Sequence, residues 1–229
     1  MTSPSSRAQT LHDHASQGDF DAFDSLWLEV LESAPQEIDV FLSGIDGLES
    51  RGHRGKAGVY LSLLVPTLLE RNLNEEALAA ARRMVEVSRG ELDAEERGVV
   101  IEAFRRVYAD HPQLATYIAS SGVETTTDLR AACDKLSTCL SFREGRYLVH
   151  PAGWGTGIVR EVLPEQATVV IDFDGKKGHR ISMEMARKVT EFVEHEDLRA
   201  LLLDRRDELE ILLESDPLRV VHSALISRQ

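Results

Sequence analysis

The hydrophobic period of this chain changes twice, and those changes limit what it can fold into. Up to residue 140, apolar residues recur every three or four positions, the spacing that places them on one face of a helix. From residue 141 the spacing falls to two, as in half-buried strands, and after residue 193 the helical spacing returns. No purely helical or purely β architecture satisfies all three stretches. The pattern predicts a multidomain α+β chain: an α-helical, repeat-like array over 1–140, a small five-stranded β-domain over 141–193 and a C-terminal helical segment over 194–229.

Within the first stretch, Phe20, Phe23, Leu26, Trp27, Val30 and Leu31 mark one helix, which Asp19 or Asp21 caps and Pro35 follows. Further stripes run through Ile38–Leu48, Val59–Leu69, Glu75–Val87 and Val99–Val107, then a short helix from Leu114 and a last one over Thr127–Leu140. Asn74 and Asp93 stand where caps are expected. The N-terminal segment that carries His12 and His14, two apart, reads as solvated. Helices of this length with short links suit antiparallel pairs stacked as an α-solenoid, or an irregular bundle, and no repeat signature separates the two.

The second stretch reads as five strands: Tyr147–Val149, Ile158–Val162, Thr168–Phe173, Gly178–Ser182 and Val189–Val193. Asp174-Gly175 marks a tight hairpin between the third and fourth. Five short strands in about fifty residues are too few for a sandwich, and the expectation is closure into a small SH3-like barrel. Leu198, Leu201, Leu202, Leu209, Leu212 and Leu213 then resume a helical stripe, and Asp216-Pro217 opens a further helix over Val220–Ile226. That helix stops at Gln229 without a cap, so the chain is expected to be the N-terminal part of a longer factor, or a relative that lost its second half.

Charge follows the same divisions. The 229 residues carry a formal net charge of −13. Residues 1–140 hold 13 basic and 23 acidic groups, residues 191–229 hold 5 and 10, and residues 141–190 hold 8 and 6. Such acidity argues against the whole chain as a non-specific nucleic-acid binder, since that affinity comes from neutralising phosphates with Lys and Arg. The argument does not extend to the slightly basic β-stretch. No apolar run reaches membrane-spanning length and the N-terminus lacks a signal-peptide core, so a cytoplasmic location is expected.

Chemistry-bearing patterns are sparse. Cys133 and Cys139 lie six apart, unlike metal or redox CxxC pairs, and read as buried thiols. His12 and His14 point to different helix faces and do not share a ligand. The run Gly153-Trp154-Gly155-Thr156-Gly157 lacks the Lys-Ser/Thr of a phosphate-binding loop and lies between strands, not at a helix start. No hydrolase signature occurs. No enzyme activity, no catalytic residue, no metal and no cofactor is expected. The glycines permit positive φ and close backbone approach, and they set Trp154 on a turn beside His150 and Pro151. Either Trp154 folds back on the end of the barrel or it is a contact residue, the role in which Trp is enriched at interfaces.

Phe142-Arg143-Glu144-Gly145-Arg146-Tyr147-Leu148-Val149-His150-Pro151, followed by the glycine run and Val159, resembles the Tudor-like or SH3-like polymerase-interacting modules of the CarD family and of the C-terminal tail of UvrD-type helicases. With Ile171-Asp172-Phe173, Lys176-Lys177-Gly178-His179-Arg180-Ile181, Ala186, His195 and the Asp216-Pro217 helix, the stretch 141–226 resembles the N-terminal half of long Gre-type transcription elongation factors. Over 1–140 only the helical architecture is similar. The acidic-tipped coiled coil of that family is absent from this sequence, so its role in transcript cleavage does not carry over. The resemblance implies a non-catalytic RNA polymerase-binding module of a bacterial elongation factor, docking through an edge strand and the turn, with Val149, His150, Pro151, Trp154 and Val159 as contacts. The alternatives are a nucleic-acid reader using Arg143, Arg146, Lys176, Lys177 and Arg180 on phosphates of DNA near the polymerase, and a protein-interaction scaffold unrelated to transcription. Neither a membrane nor a small-molecule substrate is expected.

Overall fold

A computed structural model describes residues 4–218, 220 and 221. Among them are eleven α-helices and one five-stranded antiparallel sheet, an α+β chain. The chain divides into two compact units: residues up to Leu114 with Ser121–Asp134, and Ala115–Ser120 with the residues from Lys135 onward.

The first unit is helical. It contains α1 (Pro4–Gln17), α2 (Phe20–Ser33), α3 (Ile38–Ser50), α4 (Arg54–Glu70), α5 (Asn74–Val87) and α6 (Ala94–Val107). The helix α7 (Leu114–Ser121) belongs almost wholly to the second unit, and α8 (Leu129–Leu140) begins in the first and ends in the second. The apolar stripes supply the core: Phe23, Trp27, Phe41, Leu61, Leu64, Leu68 and Phe104 are buried. Asp19 caps α2 by accepting from the Ala22 amide, and Asp93 and Glu96 form a reciprocal capping box at α6. Asn74 caps nothing; it is the first residue of α5, behind Leu73, with its Oδ1 buried and no hydrogen-bond partner among the described residues.

The segment read as solvated is α1, which lies against α3 with Leu11 and Ala15 fully buried. The reason sits in α3. A Cβ at Gly44 would stand 2.6 Å from Leu11 Cδ2, and one at Gly47 would stand 2.7 Å from the His12 carbonyl oxygen. Two bare Cα positions one turn apart therefore admit α1 at close range, and His12 Nδ1 meets the Ser43 carbonyl at 3.1 Å.

The second unit is built on β1 (Tyr147–His150), β2 (Gly155–Leu163), β3 (Thr168–Phe173), β4 (Lys176–Ser182) and β5 (Glu191–Val193). The order is β4-β3-β2-β1-β5. β4 and β5 are not paired with each other, so the sheet is open and the expected closed barrel does not form. The cause is local. The chain after β4 coils into α9 (Met183–Val189), capped by Ser182 accepting from the Met185 amide, and only three residues remain for β5. The strand expected over 189–193 is shortened accordingly. α10 (Leu198–Asp204) contributes Ala200 to a small core with Tyr147, Ile158 and Val193, and the Tyr147 hydroxyl donates to Asp204 at 2.7 Å. Burial and that bond push the Tyr147 phenol up to about 12. α11 (Arg206–Ser215) follows with no buried residue. Of the helix expected over 220–226, the part beyond Val221 lies outside the described residues.

Candidate functional site

The alternation along β1 decides which predicted contacts meet. Tyr147 and Val149 point to one face, Leu148 and His150 to the other. Val149 packs against the core of Tyr147, Ile158, Val193 and Ala200, and so leaves the company of His150. Val159 is 1% exposed and is withdrawn from the contact set: its position in β2 opposite Ile171 turns it into the sheet's interior. His150, Pro151 and Trp154 stay together, because His150 pairs with Gly155 and only four residues connect them.

That connection depends on its glycines. Gly153 and Gly155 have φ of 113° and 72°, a region that side-chain-bearing residues avoid. A Cβ at Gly157 would lie 2.7 Å from the Phe173 ring, so only a hydrogen lets β2 pass over it. The turn then returns Trp154 onto the sheet's end. Its ring stacks on His150 at 4.6 Å with 19° between planes, and meets His179 edge-on at 4.4 Å and Phe173 at 5.4 Å. The Lys176 ammonium stands 5.0 Å from the Trp154 ring, a cation–π distance. Trp154 and His150 remain half-buried, while Pro151 and Lys176 are exposed. One side of the Trp154 ring is packed and the rest faces outward.

Phe173 and His179 are members of this cluster that sequence reasoning passed over. Their approach depends on the register of β3 and β4, which slips between Ile171 and Phe173. Asp172 fixes that slip. Its carboxylate accepts from the Gly178 amide at 2.7 Å and from Arg160 Nε at 3.0 Å, and the first of these bonds, aided by Arg160, holds it below its ordinary range. The cluster is apolar and holds a cation, and His179 answers to that: burial first, then Lys176 and His150, lower its pKa and favour the neutral imidazole. His150 Nδ1 is buried without a hydrogen-bond partner among the described residues.

The basic residues read as phosphate contacts do not make one track. Arg146 lies over the Phe192 ring of β5 at 4.2 Å and donates to the Ser141 carbonyl. Arg143 is exposed just before β1. Lys176, Lys177 and Arg180 stand on β4, the opposite edge strand, where Lys176 is engaged by Trp154. No group of three or more His, Cys, Asp or Glu side chains among the described residues is arranged to hold a metal ion. Cys133 and Cys139 are both buried, and burial raises the Cys133 thiol to about 11. No helix among the described residues is long and apolar enough to cross a membrane.

No family model matches the chain, and no solved structure matches it. A curated protein similar to it is "Transcription elongation factor GreA" of Borreliella burgdorferi, 25% identical over 181 residues, which make up 77% of this chain and 19% of that protein. The chain thus spans about a fifth of the relative's length.

Proposed function

We propose that this chain is the non-catalytic RNA polymerase-binding part of a Gre-like transcription elongation factor, acting in the cytoplasm and docking through the turn around Trp154. The observation that carries the reading is the similarity to an elongation factor across 181 residues, a length that takes in helices and sheet alike. The sheet's geometry supports it. A meander β1 to β4 with the last strand returning to pair β1 is the strand order of SH3-like modules, here with open edges. An edge strand accepts a partner's strand through backbone bonds, and a Trp held on a glycine turn supplies the anchor such an interface needs.

Protein is favoured over phosphate as the partner because Arg143 and Arg146 precede β1 whereas Lys176, Lys177 and Arg180 stand on β4, and Arg146 and Lys176 are engaged by rings. The helical unit, as a solenoid-like array, would then present a second surface.

The test is recovery of purified bacterial RNA polymerase on the immobilised chain. Wild type is expected to retain polymerase, and Trp154→Ala, with an unchanged circular dichroism spectrum, to lose most of it. Equal recovery by both removes the turn from the interface, and no recovery by wild type removes polymerase as the partner.

A further inference from the structure

The helical unit carries a groove of its own. It runs along α4 to the start of α6, and its walls include Ser62 and Pro66 of α4 and Asp93, Glu95, Glu96 and Val99 at α6. Three observations fix its chemistry. First, α4 shows large apolar side chains outward here: Val59 and Leu63 are 59% and 64% exposed. With Pro66 they stand at i, i+4 and i+7, one stripe of the helix. On α2, Leu28 is 57% exposed, and Asp24, one turn before it, accepts from the hydroxyl of Tyr60 on α4.

Second, Pro66 lies inside α4 and has no N–H for the Ser62 carbonyl four residues back. The groove wall therefore offers a backbone acceptor that the helix does not engage in its usual bond. The Ser62 hydroxyl, for its part, donates to the Val59 carbonyl.

Third, the groove's charge is of one sign. Asp93 and Glu96 are held in the capping box, and Glu95 makes no hydrogen bond or ion pair among those the structure shows. No Lys or Arg lines the groove. The nearest arginines in sequence are turned elsewhere: Arg97 donates to the Val123 and Thr126 carbonyls, and Arg83 is held by Asp46, Glu49 and Glu86. An apolar stripe beside the Ser62 carbonyl, which lacks its usual helical donor, and the Glu95 carboxylate is complementary to one kind of occupant.

We infer that this groove docks a basic amphipathic helix of a partner protein, its apolar face on Val59, Leu63 and Pro66 and a Lys or Arg reaching Glu95 and the Ser62 carbonyl. Helix-in-groove recognition uses this spacing of anchors, and the cation decides which amphipathic helices fit.

The probe is a synthetic amphipathic peptide of about 15 residues built from Leu and Lys, long enough to form a helix on binding, with a Leu/Glu peptide as its counterpart. Titration into the whole, isotope-labelled chain is expected to shift resonances of Val59, Leu63, Glu95 and Val99 with the Lys peptide alone. Leu63→Ser should weaken binding about ten-fold, as loss of a central apolar anchor does. Glu95→Gln should weaken it about three-fold, the scale of an exposed charge pair. Glu75→Gln, at the matching position of α5, should leave it unchanged. If Glu75→Gln weakens binding as much as Glu95→Gln, the attraction is the general acidity of the chain and the inference fails. Shifts confined to other helices, equal binding of the Leu/Glu peptide, or self-association of the free chain that Leu63→Ser abolishes would each overturn it as well.

Discussion

At the scale of single residues, the turn's surface depends on how Trp154 is held. Burial, then Lys176 and His150, lower the pKa of its neighbour His179 and favour the neutral imidazole. A histidine whose folded pKa lies below its unfolded value of about 6.5 leaves stability intact above that pH and withdraws it as pH falls toward the folded pKa. Trp27 and Trp154 are the two tryptophans, so in a Trp27→Phe chain the fluorescence reports the cluster alone. Acidification from pH 8 is expected to change that signal with a midpoint below 6.5, and His179→Gln to abolish the part owed to this residue. A midpoint above 6.5 would mean that His179 is stabilised as a cation. The glycines give a second prediction. Gly157→Ala places a methyl 2.7 Å from the Phe173 ring and is expected to destabilise the sheet unit by about 2 kcal/mol, read by chemical denaturation. Gly175→Ala, with nothing within 4 Å of its Cβ position, serves as the comparison.

At the scale of elements, what the sequence declared depended on whether an element's burial is written in its own residues. β3 was legible to the residue over Thr168–Phe173, since β-branched and apolar side chains alternate along it. The helices α2 to α6 were legible from their stripes and from Asp19 and Asp93. α1 was not, because its small apolar face is completed by Gly44 and Gly47 of another helix. α9 was missed for a different reason: seven residues are too few to separate a period of 3.6 from one of 2, and the Ser182 cap was the available signal. Its presence is also what keeps the sheet open. Of the site, the glycine run and Trp154 were visible, whereas Phe173 and His179 join it only through the strand slip that Asp172 stabilises. Pro66 offers an elemental test. Replacing it by Ala returns an N–H to the Ser62 carbonyl and is expected to raise the helical unit's stability by about 2 kcal/mol, seen as a higher melting temperature. A lower melting temperature would show that packing of the proline ring outweighs the lost bond.

At the scale of the whole molecule, charge and surface divide the labour between the units. The helical stretch concentrates acidity and carries the apolar stripe along α4, while the slightly basic β-stretch carries the ring cluster and two open edges. A polymerase-binding role through the sheet requires that complex formation cover the turn and the strand edge beside it. Hydrogen–deuterium exchange of the whole chain, with and without purified bacterial RNA polymerase, measures that cover directly. Slowed exchange is expected across His150–Thr156 and along β4, with the surface of α2 and α4 unchanged. Slowed exchange on α2 and α4 with the turn and β4 unaffected, or no change anywhere at saturating polymerase, would contradict it.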